Sequence, residues 1–266
     1  MTTYRQTFAK LKHAALIPFF VIGDPDYDTS LEIIKAAIDA GADVLELGIP
    51  FSDPIADGPT IQKADIRALA ASMTTAKALR FIKAVTDYKP LPVGLLVYYN
   101  IVYRYGPQKF FNDFKAAGGS SVLVADLSID DEAEITPLAE AAGLETVFMV
   151  TPNTEAERAE RIARKSTGFI YTVSTLGVTG ERQSLSETVK PLIKRLKGMT
   201  DTPVCVGFGI STPQHAKEIA AAGADGIIIG SRLVKIIEQN LGDKPKLLRE
   251  LQAFLTEARS ALSLDV

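Results

Sequence analysis

Short, nearly continuous apolar runs alternate along this chain with longer segments in which apolar residues recur at helical spacing. Apolar runs without polar alternation are typical of strands that are buried on both faces of a parallel sheet. The pattern therefore predicts strands over Leu16–Ile22, Val44–Leu47, Val93–Val97, Ser121–Ala125, Thr146–Val150, Phe169–Val173, Val204–Val206 and Gly226–Ile229.

The intervening segments predict amphipathic helices, because Ser, Thr or Asp precedes several of them and glycine follows several. These helices span Thr29–Ala40, Thr75–Tyr88, Pro107–Ala117, Asp131–Ala142, Thr154–Lys165, Leu185–Leu196 and Thr212–Ala222. Three further helices are predicted outside this alternation, over Tyr4–Lys12, Gln62–Ala71 and Pro245–Leu262.

Ala-Gly pairs, such as Ala40-Gly41 and Ala222-Gly223, repeatedly join a helix to the next strand. The repeated unit has the size of a βα module, and about eight such modules close into a barrel. An open doubly wound sheet is the rival, but no G-x-G-x-x-G motif follows the first strand. We therefore expect an α/β fold, a (β/α)8 TIM barrel with extra N-terminal and C-terminal helices. No Pro-, Gly- or Ser-rich linker divides the chain, so we expect residues 1–266 to form a single domain.

The composition excludes several classes of partner. A formal net charge of −3 gives no electrostatic footprint for nucleic acid or an anionic membrane. The single cysteine, Cys205, lies in an apolar run and is expected to be a buried thiol. The sequence contains no apolar stretch of the length needed for a signal peptide or a membrane span. We expect a cytoplasmic protein.

The active site of such a barrel is built at the carboxyl ends of the strands. Glu46 ends the second strand, and the loop behind it carries Asp53 and Asp57. Such acids are often solvated loop residues, but the glycine motifs at the far end of the chain favour a functional role. His13 and His215 both fall in predicted helices, so no histidine cluster is expected to hold a metal.

No lysine stands at a strand end, which argues against a Schiff-base aldolase. A hard cation held by Asp24, Glu46 and Asp126 is a minor alternative. The pattern favours carboxylate acid/base chemistry on a small phosphorylated substrate.

Two glycine motifs follow the last two strands and each opens a helix: Gly207-Phe208-Gly209-Ile210-Ser211 and Gly230-Ser231. Gly209 and Gly230 let the backbone approach an anion closely, and the hydroxyl of Ser231 adds a donor. Gly180, in the loop after the sixth strand, is a further candidate. The alternative is that these glycines serve only tight turns. Arg232 is either a phosphate ligand or a solvent-exposed side chain.

Taken together, these motifs resemble the tryptophan synthase alpha-subunit family over essentially the full chain. The matching segments are Pro18-Phe19 with Gly23-Asp24-Pro25, Glu46–Pro59, Leu96 with Tyr98 and Asn100, Gly177-Val178-Thr179-Gly180, and the two glycine motifs. Val21, Ser72 and Ser128 depart from the family's commoner residues, which are threonine, glycine and proline. None of the three replaces a proposed catalytic group.

The resemblance implies cleavage of indole-3-glycerol phosphate to indole and glyceraldehyde 3-phosphate. It implies that Glu46 is the acid/base catalyst and that Asp57 meets the indole N–H. The implied substrate contacts are Phe19, Leu96, Tyr98, Ala125, Tyr171 and Thr179, and the implied phosphate contacts are Gly180, Phe208, Gly209, Gly230 and Ser231. Loops 51–59 and 175–186 are implied to close over the substrate.

The family also implies a beta-subunit partner in an alpha2-beta2 complex. The partner receives the indole and carries pyridoxal phosphate, so no cofactor and no metal are expected on this chain. Three other functions stay open. They are a free-standing indole-3-glycerol phosphate lyase, a non-catalytic phosphate-binding barrel that activates a partner, and a different sugar-phosphate isomerase or aldolase.

Overall fold

The computed structural model describes residues 4–173, 185–207 and 209–263. Its sheet consists of parallel strands whose order around the sheet is β5-β4-β3-β2-β1-β9-β8-β7-β6. The strands are β1 (Ala15–Val21), β2 (Leu45–Gly48), β3 (Val93–Val97), β4 (Ser121–Val124), β5 (Glu145–Thr146), β6 (Phe148–Val150), β7 (Ile170–Val173), β8 (Val204–Gly207) and β9 (Gly226–Ile229).

The two end members of this order, β5 and β6, are separated in the chain only by Val147. β5 pairs with β4, and β6 pairs with β7, while the Val147 amide still donates to the Val122 carbonyl at 3.0 Å. One interrupted segment therefore joins both edges and closes the barrel. The predicted (β/α)8 TIM barrel is confirmed, with the predicted fifth strand divided in two.

Helices surround the barrel. They are α1 (Tyr4–Phe8), α2 (Tyr27–Asp39), α3 (Pro59–Ala70), α4 (Thr75–Tyr88), α5 (Tyr99–Tyr105), α6 (Pro107–Ala116), a 3-10 helix over Ile129–Glu134, α7 (Thr136–Ala141), α8 (Ala156–Lys165), α9 (Leu185–Lys197), α10 (Pro213–Ala221), α11 (Ser231–Gln239) and α12 (Lys244–Leu262). The predicted extra helices at both ends are present as α1 and α12. No helix among the described residues is long and apolar enough to cross a membrane.

The continuous helix predicted over Asp131–Ala142 is wrong. The segment is a 3-10 helix followed by α7, and the two meet at Ile135, whose φ of −120° is not helical. Pro137 explains the break, because its ring lacks an N–H and would clash with the carbonyl four residues earlier in an uninterrupted α-helix.

The helical placement of His13 is also wrong. The first helix ends at Phe8, and i to i+3 bonds from Lys10 and Leu11 turn the chain toward β1. His13 lies beyond this turn, with its Nε2 3.2 Å from Asp43 Oδ2. His215 does lie in a helix, α10.

Helix α1 covers the amino-terminal end of the barrel with one fully buried side chain, Tyr4. Ser121 Oγ lies 3.0 Å from the Tyr4 hydroxyl, and the Tyr4 amide donates to Glu145 Oε2 at 3.2 Å. A Cβ atom on Gly94 would lie 2.7 Å from the Tyr4 hydroxyl, so β3 needs glycine at this point. The barrel floor is thus sealed by an element outside the βα repeat.

Candidate active site

A pocket opens at the carboxyl ends of the strands, the end at which barrel enzymes build their active sites. Its lining combines apolar side chains with the amino-terminal ends of α3 and α11. The lining residues are Phe19, Asp57, Gly58, Ile61, Leu96, Tyr171, Gly209, Ile210, Ser211, Ile228, Gly230, Ser231 and Arg232. Six of the side chains or glycines proposed from the sequence as substrate or phosphate contacts, together with Asp57, therefore meet in one place.

Glu46 lies on β2 in register with Phe19 on β1, whose ring lines this pocket. The Glu46 side chain is only 3 % exposed, and its Oε2 has no hydrogen-bond partner among the described residues. Burial raises the pKa of Glu46 to about 8, and the neighbouring Asp57 carboxylate adds to the rise. At neutral pH this group is therefore a carboxylic acid that can donate a proton and take one back.

Asp57 lies in the loop between β2 and α3 and is held by the Tyr98 hydroxyl, which donates to Asp57 Oδ2 at 2.7 Å. The same hydroxyl accepts from the Ala56 amide at 3.1 Å. Burial raises the pKa of Asp57, and the hydrogen bond from Tyr98 opposes that rise. The Phe51 ring stacks on the Tyr98 ring with centroids 5.0 Å apart, so both ends of the loop contact Tyr98, the residue that follows β3.

The other side of the pocket is formed by backbone. Gly230 precedes α11, whose first residue is Ser231, so the free amides of a helix N-terminus face the pocket. A Cβ atom on Gly230 would lie 3.1 Å from Phe19 Cδ1, and one on Gly48 would lie 3.0 Å from Phe19 Cζ. Glycine at these two positions makes room for the Phe19 ring. Gly209 has a φ of +75°, a conformation that favours glycine.

Three of the predicted site residues, Glu46, Tyr98 and Ala125, are not among the residues that line this pocket. Glu46 is in register with the lining residue Phe19, and Tyr98 donates to the lining residue Asp57. Ala125 borders a neighbouring cavity with Phe148 and Met149, beyond the end of β4. Three more predicted site residues, Thr179, Gly180 and Phe208, lie outside the described residues. The roles proposed for all the site residues stay predictions.

The sequence allows Arg232 to be either a phosphate ligand or a solvent-exposed side chain. In the structure Arg232 lies among the residues that line the pocket. Its guanidinium carbon lies 5.4 Å from the centre of the Phe254 ring of α12.

The sequence reasoning missed Asp65, which lies on α3 and is 4 % exposed. Burial raises the pKa of Asp65 to about 7, and the nearby Asp57 and Asp24 carboxylates contribute to the rise. Spacing could have identified this residue, because Asp65 stands four positions after Ile61 and three before Ala68 on the buried face of the helix.

The sequence allows Asp24, as a less favoured alternative, to be a ligand of a cation. Its two carboxylate oxygens accept from Arg67 Nε and Nη2 at 2.7 and 2.9 Å. This bidentate pair commits Asp24 to an arginine of α3. Among the described residues, no group of three His, Cys, Asp or Glu side chains is arranged to hold a metal ion.

Comparison with known proteins gives one consistent result. The family model described as tryptophan synthase alpha chain matches residues 6–263. The tryptophan synthase alpha chain of Methanothermobacter thermautotrophicus is 44% identical over 259 residues, which cover 97% of this chain and 96% of the relative. That of Helicobacter pylori strain Shi470 is 42% identical over 254 residues, which cover 95% of this chain and 96% of the relative.

Solved structures agree with these relatives. The tryptophan synthase alpha subunit of Legionella pneumophila superposes with a TM-score of 0.89 at 32% identity, covering 98% of both chains. A structure of the tryptophan synthase a2b2 complex from Pyrococcus furiosus matches with a TM-score of 0.86 at 38% identity, covering 94% of this chain and 99% of that one. With the pocket, the buried glutamate and the helix N-terminus in place, this chain belongs to the tryptophan synthase alpha chain family.

Proposed function

We propose that this protein cleaves indole-3-glycerol phosphate to indole and glyceraldehyde 3-phosphate, with Glu46 as the acid/base group. The observation that carries the proposal is a buried, protonated glutamate beside a pocket that also holds a fixed carboxylate, Asp57. Family membership supports the same reaction, a carbon–carbon bond cleavage in tryptophan biosynthesis.

The reaction is a retro-aldol cleavage, and it needs an electron sink. Glu46 donates its proton to C3 of the indole ring, which becomes a positively charged indolenine. The resulting Glu46 carboxylate then takes the proton of the hydroxyl on the adjacent glycerol carbon. As that oxygen forms a carbonyl, the carbon–carbon bond breaks and its electron pair returns to the ring. One proton is given and one taken, so the carboxyl group ends as it began.

Asp57 has the complementary task in this proposal. Its carboxylate faces the indole N–H and offsets the positive charge that develops on the ring nitrogen. A group that performs this task must already be in place when the charge appears. The Tyr98 hydroxyl, which donates to Asp57 Oδ2, and the Phe51–Tyr98 stack supply that rigidity.

The remaining contacts are proposed from the family resemblance, and six of them are supported by the pocket lining. We assign the indole ring to Phe19, Leu96, Tyr98, Ala125 and Tyr171, with Thr179 in the loop that closes over it. We assign the phosphate group to the backbone of Gly180, Phe208, Gly209, Gly230 and Ser231. For Gly230 and Ser231, the supporting fact is the amino-terminal end of α11 at the pocket wall.

We further propose that this chain works as a single domain in the cytoplasm with a beta subunit that takes up the indole. The Pyrococcus furiosus relative is described in an a2b2 complex. Ile55, next to the catalytic loop acids, is 84 % exposed, which suits a surface that meets another protein. In this proposal pyridoxal phosphate belongs to the beta subunit, and the alpha chain needs no cofactor.

The decisive experiment measures indole release from indole-3-glycerol phosphate by the purified chain, alone and with a beta subunit added. We expect slow release that rises strongly on mixing. The Glu46→Gln variant should release no indole under either condition, whereas Glu238→Gln, which alters a half-buried acid of α11 that pairs with Lys63, should behave as the wild type.

Each alternative predicts a different result. Fast release without a beta subunit would support a free-standing lyase. No release under either condition would leave the non-catalytic phosphate-binding barrel. Normal turnover by Glu46→Gln would refute the assigned role of that residue.

A further inference from the structure

We propose that Asp65 is a positioning residue of this site, whose carboxyl group anchors the start of the β2–α3 loop and thereby places Asp57. The inference deepens the proposed lyase function and rests on it. Asp65 does not line the pocket, so it acts through the residues that it holds.

The anchor is a hydrogen bond across the loop. The Phe51 amide donates to Asp65 Oδ1 at 3.4 Å, which ties the third residue after the end of β2 to α3. The loop between these two points contains Asp57, and α3 begins at Pro59. The carboxyl group of Asp65 therefore fixes the loop from the helix side.

The contact continues from Phe51 to the catalytic acid. The Phe51 ring stacks on Tyr98 at an interplanar angle of 25°, and the Tyr98 hydroxyl donates to Asp57 Oδ2. Displacement of Phe51 would therefore change the position of the ring whose hydroxyl holds Asp57. Asp65, Phe51, Tyr98 and Asp57 form one connected set of contacts.

A structural role alone does not account for an acid at this position. Asp65 Oδ2 is buried and has no hydrogen-bond partner among the described residues, and burial of an unpaired polar atom opposes folding. The acids that face it are Asp57 from the loop and Asp24 from the end of β1, and the nearby cation, Arg67, is bound to Asp24. An apolar residue would remove this cost together with the acceptor for the Phe51 amide, so what the acid offers in return is its contact with the loop.

The test compares three substitutions at this position. Asp65→Asn keeps the size and an acceptor oxygen for the Phe51 amide. Asp65→Ala removes the acceptor, and Asp65→Leu removes it while nearly filling the same volume. Glu238→Ala is the matched control, because Glu238 contacts the same helix from outside through Lys63 at 2.8 Å. Each variant is assayed for kcat and KM in indole release and for Tm.

We expect Asp65→Ala and Asp65→Leu to lower kcat/KM about 10- to 100-fold, as misplacement of a catalytic group by about 1 Å does. The loss should fall mainly on kcat, and the Tm should not fall. Asp65→Asn should retain most of the activity. A double-mutant cycle with Tyr98→Phe should be non-additive, because both residues act on Asp57.

Three results would overturn the inference while the wild type stays active. They are an unchanged kcat/KM in both acceptor-free variants, a loss in Asp65→Asn as large as that in Asp65→Leu, and strict additivity with Tyr98→Phe. If the two acceptor-free variants fail to fold while Asp65→Asn folds, Asp65 is a structural residue and the inference is wrong. An inactive wild-type chain would instead refute the proposed lyase function.

Discussion

Replacement of Glu46 by glutamine should abolish activity and at the same time stabilise the fold at alkaline pH. An acid whose pKa is higher in the folded than in the unfolded chain binds more protons when folded, so stability is greatest at low pH and falls as the pH rises. For Glu46 the pKa rises from 4.5 to about 8, so the loss occurs between these values. At about 1.4 kcal/mol per pH unit, this one group removes roughly 3 to 4 kcal/mol between about pH 5 and about pH 8.

Glutamine has nearly the same shape and does not ionise, so the variant lacks this contribution. The assay is unfolding of wild type and Glu46→Gln over the range from about pH 5 to about pH 9, followed by circular dichroism. Near pH 8 the Tm of the variant should exceed that of the wild type by roughly 7 to 14 °C, at about 2 to 4 °C per kcal/mol for a chain of this size. The titration of Asp65 is common to both proteins and cancels in the difference.

The critical observation is how the difference in stability between wild type and Glu46→Gln changes with pH. The two stability curves should approach each other as the pH falls toward about 5 and should coincide only below the unfolded pKa of 4.5, where Glu46 is protonated in both the folded and the unfolded chain. Parallel curves across the whole range would refute the reasoning, because they would mean that Glu46 ionises in the folded protein at its ordinary pKa.

Two further substitutions test the loop and the end of α3. Tyr98→Phe removes the hydroxyl that donates to Asp57, so kcat/KM in indole release should fall by about tenfold, the equivalent of one hydrogen bond to a charged group. A rate equal to the wild type would show that Asp57 does not need this donor. Ser72 follows α3 with a φ of +60° and donates its amide to the Leu69 carbonyl. Ser72→Gly should raise the stability to urea by about 0.5 to 1 kcal/mol, and a lower midpoint would contradict it.

The fold was predictable because its strands are buried on both faces. Every residue of β1 is buried, and the corresponding apolar run in the sequence has no polar interruption. The short helix α5 (Tyr99–Tyr105) was missed because its aromatic and β-branched residues favour strands. The break before α7 depends on one proline, Pro137, inside a segment that otherwise has helical periodicity.

The position of the site was predictable where a polar residue or a glycine stands in or just after an apolar strand, as for Glu46 within β2 and Gly230 after β9. It was not predictable where the partner of a group comes from a distant segment. The hydrogen bond between Tyr98 and Asp57 spans 41 positions of the chain, and the sequence around neither residue predicts it. Asp65 escaped notice because charged residues on a helix are usually solvated, and its burial depends on the loop that folds over α3.

The sealed floor of the barrel has a consequence for acid strength in the pocket. Tyr4 lies close enough to Glu46 for the carboxylate to add to the rise in the pKa of the tyrosine, after the effect of burial. Burial is what keeps Glu46 protonated at neutral pH, and the fully buried Tyr4 is part of the packed interior that shields it from solvent. A short helix that lies outside the pocket lining thereby contributes, from the opposite end of the barrel, to the protonation of the carboxyl group proposed as the acid/base catalyst.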